Sequence, residues 1–342
     1  MIRALWPRLR VLAGAGILAA LVWRLGTDAF VNGLRMIDGR ALLAALAIGL
    51  LTTVFSAWRW CLVARGLGLR LPLPTAVADY YRALLLNAVL PTGVLGDVHR
   101  AVSHGRDAGD VGRGVRAVAL ERIAGQVVLL AVGVPVLLTQ SALVSEVTHA
   151  LVPGRGVVYA ALGGLAVLTA VVLVLAGRGR WRPGTTRWRR ALATASADAR
   201  LGLLSRGTWP GVVLLSAAAL LGHVALFVVA ARVAGSPAPI VRLVPLMVLA
   251  LLVMGLPVNV GGWGPREAVS ALAFGAAGLG ASQGLTAAVV YGILTLVASL
   301  PGAGVLIFRY SGRKVRLPRP AAVSKRRFGR GMEPIRAESV TS

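Results

Sequence analysis

Acidic side chains are scarce in this sequence: 12 Asp and Glu face 37 Lys and Arg over 342 residues, a formal net charge of +25. Charge of either sign is also thin, at 14% of residues against 57% hydrophobic, with a mean hydropathy of +0.77. A soluble domain carries about 25% charged residues, so this shortage excludes an ordinary soluble protein. The single cysteine, Cys61, excludes an intrachain disulfide and reads as a small apolar packing residue. Lysine is nearly missing, with only Lys314 and Lys325, so the positive charge is arginine. With abundant Ala, Gly and Val, that points to a GC-rich bacterial genome. Histidine is sparse too. His99 and His104, with Asp97, Asp107 and Asp110, follow no defined ligand spacing, so no metal and no other cofactor is expected. His223, inside an apolar run, reads as an interhelical hydrogen-bond partner. There is no Gly-x-x-x-x-Gly-Lys loop, no Gly-x-Ser-x-Gly elbow and no His-Glu-x-x-His pair, so none of the sites those motifs build is expected. The arginines gather in loops and in the tail, where positive-inside topology and anionic headgroups account for them. Nucleic acid is therefore not an expected partner.

What the chain does have is a series of apolar runs near the 20 or so residues needed to cross a bilayer. Arg3, Arg8 and Arg10 place the N-terminus in the cytoplasm, ahead of a crossing at 11–25 that reads as an uncleaved signal anchor. A second crossing, 41–63, ends among Trp58, Arg59, Trp60, Arg65 and Arg70, read as interface anchors. Residues 75–90 form a helical arm that stops at Pro91, and the loop with Arg100, Arg106, Arg113 and Arg116 is again basic. That arm therefore reads as half of a re-entrant hairpin rather than a crossing. Further crossings follow at 115–138, 157–176, 211–231 and 285–308. Between the last two, 243–256 and 268–279 form a second hairpin. The arginine-rich 177–209 reads as an interfacial amphipathic segment, and 311–342 as a basic, disordered cytoplasmic tail. The expected fold is all-α and polytopic: about six crossings plus two re-entrant hairpins, or seven or eight spans by hydropathy alone. One hairpin dips from each face, which makes an inverted repeat of 41–138 and 210–308 within a single domain, 1–310.

Both hairpins are broken in the same manner: an apolar helix stops at Leu-Pro, passes through glycines and then presents charge. Lipid holds no water to satisfy a broken backbone, so such breaks persist only where protein buries them or where they line a polar cavity. Paired interruptions in corresponding halves point to a transporter's binding site. In the first, Pro91 ends the helix and Gly93 and Gly96 permit the turn. A helix restarting at Gly96 puts Asp97 and Arg100 one turn apart, with Asp97 at the favourable N-terminal end. Asn87, on the entering arm, is placed to cap or cross-link freed backbone groups. In the second, Pro257 ends the arm, Gly261, Gly262 and Gly264 form the break, and Pro265 opens a helix bearing Arg266 and Glu267. Charges at such depth are costly unless paired or hydrated, which marks a functional site by default. An arginine there can hold phosphate bidentately, aided by free N–H groups at the helix start; a structural ion pair joining the repeats is the alternative. Glu121 and Arg122 are neighbours in the third crossing and point in different directions, Glu121 inward and Arg122 snorkelling to the edge.

The run Leu86-Asn87, Leu90-Pro91-x-Gly93-x-x-Gly96-Asp97-x-x-Arg100, then Glu121-Arg122, then Leu256-Pro257 with Gly261-Gly262-x-Gly264-x-Arg266-Glu267, resembles the lysylphosphatidylglycerol synthase transmembrane-region family. Its members are also called flippase-like domain proteins, and the resemblance spans about residues 10–310. In its multiple-peptide-resistance members the membrane part is associated with moving an aminoacylated phospholipid between leaflets, and a separate soluble domain performs the aminoacylation. The tail here is expected to leave no room for that domain, so the resemblance implies a transporter rather than a synthase. It implies a multi-pass protein of the bacterial cytoplasmic (inner) membrane, both termini cytoplasmic, that binds and translocates an anionic phospholipid or a polyprenyl-phosphate lipid. Asn87, Asp97, Arg100, Glu121, Arg266 and Glu267 would meet the headgroup, the arginines on phosphate and the carboxylates on those arginines or on a cationic headgroup. Two other classes stay open: a lipid-modifying transferase or hydrolase with Asp97 or Glu267 as general base, and a non-catalytic partner of a cell-envelope glycosyltransferase or synthase. The sequence does not fix the oligomeric state.

Overall fold

The computed structural model describes residues 28–90, 93–140, 187–255 and 263–307. These form α1 (Asp28–Arg35), α2 (Gly39–Gly66), α3 (Leu73–Val89), α4 (Leu95–Asp107), α5 (Val111–Leu138), α6 (Arg187–Gly202), α7 (Trp209–Val233), α8 (Ile240–Met254), α9 (Pro265–Ala276) and α10 (Ala281–Ser299). The chain is an all-α polytopic membrane protein. Helices α2, α5, α7 and α10, the last continued to Ile307, are long and apolar enough to cross a bilayer. They coincide with the apolar runs at 41–63, 115–138, 211–231 and 285–308. The expected crossings at 11–25 and 157–176, and the tail, lie outside the described residues.

Local chemistry sets the ends of these helices. Asp38 Oδ1 accepts the Ala41 N–H at 2.8 Å and starts α2. Asp110 does the same for α5 through the Arg113 N–H at 2.8 Å. Proline stands in the first turn of α3, α7 and α9, where its missing N–H costs nothing. Leu43, Leu50 and Leu51 on α2 and Leu214 and Leu221 on α7 are exposed, an arrangement that suits contact with lipid rather than water.

The short helices behave differently. α3, α4, α8 and α9 have 17, 13, 15 and 12 residues. At 1.5 Å per residue they reach about 18–26 Å, short of a hydrocarbon core of about 30 Å. α3 packs on α4 and α8 on α9, so each pair is a hairpin. The order long, short, short, long thus occurs twice, in α2–α5 and in α7–α10. Packing between the halves is reciprocal: α2 lies on α7 and α10, α5 on α7 and α8, and α10 on α3. Small residues allow the close approaches. A Cβ on Gly222 of α7 would lie 2.1 Å from Thr52 Oγ1, and one on Gly49 of α2 would lie 2.5 Å from Ala298 Cβ. Cys61 is buried within the first half, in a cluster with Trp60, Ala76 and Tyr80, as expected of an apolar packing residue. Within the arginine-rich segment, α6 is tied to α5 by the Arg116–Asp198 ion pair.

Candidate functional site

The first break separates α3 from α4. Gly93 takes φ 63°, a left-handed conformation that favours glycine. Gly96 is required for a different reason: a Cβ there would lie 2.1 Å from the Ala83 carbonyl oxygen, so the first turn of α4 presses directly on the backbone of α3. No side chain at the N-cap position, Val94, accepts a backbone N–H. Asn87 supplies that acceptor from across the break, its Oδ1 taking the Gly96 N–H at 2.8 Å. Its Nδ2 donates to Asp97 Oδ2 at 3.0 Å. Pro91 lies outside the described residues.

From Asp97 the charges run on as a chain of alternating sign. Asp97 Oδ1 accepts from Arg100 Nε at 2.8 Å. Arg100 Nη2 donates to Glu121 Oε2 at 2.7 Å. The other Glu121 oxygen accepts from Arg59, with Nε at 3.1 Å, and from the Tyr80 hydroxyl at 3.2 Å. At the far end, Arg122 Nη2 donates to Asp97 Oδ2 at 2.5 Å. The sequence of groups is therefore Arg59, Glu121, Arg100, Asp97, Arg122. Glu121 and Arg100 are fully buried, and the Arg100 guanidinium is sandwiched 4.7 Å from the Trp60 ring and 4.4 Å from the Tyr80 ring. Such stacking is favourable for a desolvated cation. Three guanidiniums against two carboxylates leave one net positive charge, and the termini of the chain are both arginines.

The second break is local by comparison. Pro257, Gly261 and Gly262 lie outside the described residues; Gly264 takes φ 106° and begins α9. Glu267 Oε2 accepts the Gly264 N–H at 2.7 Å, and Oε1 accepts from Arg266 Nε at 3.0 Å. Both side chains are buried. The Arg266 guanidinium lies 5.2 Å from the rings of Trp263 and Tyr291. A Cβ on Gly292 would lie 2.5 Å from Arg266 Nη2, so that glycine makes the room for the guanidinium. Gly125 does likewise for Arg59, 3.2 Å from its Nη1.

Between the halves lies a cavity of about 240 Å³, walled by α2, α3, α5, α7, α8 and α10. Arg59, Arg122, Tyr80, Ser216, Gln126 and His223 supply its polar wall. Leu129, Leu220, Leu251 and Met254 supply an apolar one. Arg59 Nη1 donates to Ser216 Oγ at 3.1 Å, linking α2 to α7. His223 Nδ1 is 3.3 Å from the Tyr291 hydroxyl, an interhelical bond of the expected kind. Tyr291 in turn stacks on Phe227, with ring centroids 4.7 Å apart. Tyr291 and the end of α8, at Met254 and Gly255, bring the second half to the cavity wall.

None of the six residues expected to meet a headgroup is among the residues that line this cavity. Arg100 and Glu121 are enclosed, Asp97 and Asn87 hold the first break together, and Arg266 and Glu267 close on each other. The groups that reach the cavity are Arg59 and Arg122. Arg59 had read as an interface anchor beside Trp58 and Trp60. Of that set Trp58, Arg65 and Arg70 are exposed, whereas Arg59 and Trp60 are buried, because α2 runs on to Gly66 and those two positions fall on its packed face. Arg122, expected to snorkel, has a side chain 45% exposed, and the space it reaches is this cavity. The one advance signal was Gly125, a residue with no side chain one turn from Glu121. Chemically, the site offers cationic donors and hydroxyls beside an apolar wall. No carboxylate lines the cavity among the described residues, which places Asp97 and Glu267 poorly for general-base work there.

The profile of the lysylphosphatidylglycerol synthase TM region matches residues 9–302. No curated protein matches the sequence significantly. With that match running over most of its length, the chain belongs to the lysylphosphatidylglycerol synthase TM-region family and is an integral membrane protein related to lipid handling.

Proposed function

We propose that this protein binds a phospholipid or polyprenyl-phosphate headgroup in the cavity between its halves and moves that lipid from one leaflet to the other. The observation that carries the reading is the ion chain whose two terminal arginines, Arg59 and Arg122, line a cavity shared with the apolar side chains Leu129, Leu220, Leu251 and Met254. Guanidinium groups pair with phosphate through charge-assisted, geometrically specific bonds. Asp97, Arg100 and Glu121 act as positioning residues for those two donors, and Asn87 fixes the break from which Asp97 projects. Arg266, held by Glu267, braces the cavity-lining Tyr291. The two halves, 41–138 and 210–308, form an inverted-topology repeat in a bacterial cytoplasmic membrane, with both termini cytoplasmic. The repeated helix order and reciprocal packing support that reading, as does the distribution of arginine along the loops.

The test is leaflet exchange of a fluorescent phospholipid or polyprenyl phosphate in proteoliposomes. Wild-type protein is expected to accelerate exchange, and Arg122→Gln to reduce it by about tenfold or more, the scale of one lost charge-assisted contact. Folded wild-type protein that leaves every such lipid in its original leaflet would refute the translocation.

A further inference from the structure

The cavity's charge narrows the class of lipid further. We infer that the site takes an anionic, phosphate-bearing lipid, and that it rejects aminoacylated, cationic lipids of the kind the family name describes; this rests on the reading of the cavity as a headgroup site.

The argument is one of charge accounting. Arg59 and Arg122 line the cavity together with His223, and among the described residues no carboxylate does. Neither carboxylate of the ion chain is among the cavity-lining residues, and both are already committed. Glu121 is fully buried and holds Arg59, Arg100 and Tyr80. Asp97, with its side chain 15% exposed, holds Arg100, Arg122 and Asn87. Glu267 is fully buried between Arg266 and a backbone N–H. Asp38 and Asp110 cap helices, Asp79 and Asp198 pair with Arg82 and Arg116, and Asp107 is exposed. A lysyl ester adds a side-chain ammonium and an α-ammonium to the headgroup. In this cavity those cations would meet two arginines and no counter-ion among the described lining residues. Like charges brought together across a contact repel and select against the wrong partner. An unmodified phosphate anion meets the opposite situation, since its negative charge offsets the single positive excess of the five-group chain.

The experiment is displacement of fluorescent phosphatidylglycerol from the full-length protein in detergent. The competitors are unlabelled phosphatidylglycerol, a polyprenyl phosphate and lysyl-phosphatidylglycerol. Displacement by one or both unmodified anions, with the lysyl ester weaker by about tenfold or more, is the expected result, and the better anion names the source of the phosphate. Displacement by the lysyl ester as strong as by its parent lipid overturns this inference while leaving the headgroup site standing. Displacement by none of the three, with folded protein, overturns the site itself. A second variant gives an independent reading. Gln126 lies one turn from Arg122 on the same cavity wall. Gln126→Glu supplies the missing counter-ion, so it should narrow or close the gap between the lysyl ester and its parent; an unchanged gap in that folded variant would also count against the inference.

Discussion

The two broken hairpins carry similar sequence, and the structure uses them differently. At the first, five charged groups from α2, α4 and α5 form one chain whose arginine ends reach the cavity. At the second, Arg266 and Glu267 from adjacent positions neutralise each other within the first turn of α9. An even, closed pair has no charge left to offer a ligand, whereas an odd chain must leave one unbalanced. The comparison teaches that a buried charge in a membrane protein is not by itself a binding group. What matters is whether its partners leave an excess, and on which surface that excess emerges.

The largest expected effect that would test this difference comes from the carboxylates. Glu121→Gln removes the charge that Arg59 and Arg100 share and should destabilise the protein by about 3–5 kcal/mol, the range for breaking a buried pair. Glu267→Gln strands only Arg266 and keeps an oxygen for the Gly264 N–H, so about 2–3 kcal/mol is expected. Thermal unfolding in one detergent should therefore rank Glu121→Gln below Glu267→Gln; the reverse order would remove the distinction between chain and pair.

A smaller effect should follow from filling the space under each guanidinium. Gly292→Ala puts a Cβ 2.5 Å from Arg266 Nη2 and 2.8 Å from the Trp263 ring, and should cost about 1–3 kcal/mol. Gly125→Ala meets Arg59 at 3.2 Å, a contact relieved by a slight shift of a long side chain, so less than about 1 kcal/mol is expected. The functional readout should invert that order. Gly125→Ala displaces a cavity arginine and should slow lipid exchange more than Gly292→Ala does. An effect of similar small size belongs to the cap: Asn87→Ala should cost about 1 kcal/mol, typical of a lost N-cap acceptor, and is checked by the same unfolding curves.

Much of this fold was readable before any coordinates. The four described crossings, the two hairpins and the breaks near Gly93 and Gly264 follow from apolar run length and from proline and glycine, whose effects are local. Asn87 could be named as a capping residue because it stands near the break in sequence. The cavity residues were not readable in the same way. Arg59 looked like an interface anchor because it stands among tryptophans and arginines at the end of an apolar run, and the sequence does not say which face of α2 meets α5. Arg122 sits beside Glu121, yet each finds its partner on another element, Asp97 on α4 for one and Arg59 on α2 for the other.

The sequence by itself determined that the chain is a helical membrane protein with two interrupted hairpins, since hydropathy, loop charge and backbone breaks act over a few residues at a time. Only the tertiary structure decided which charges are used up and which remain. Ion pairing depends on the rotation and approach of helices 21 to 62 residues apart in the chain, and that geometry is fixed by packing at positions such as Gly96, Gly125 and Gly222, where the lack of a side chain lets another group come close.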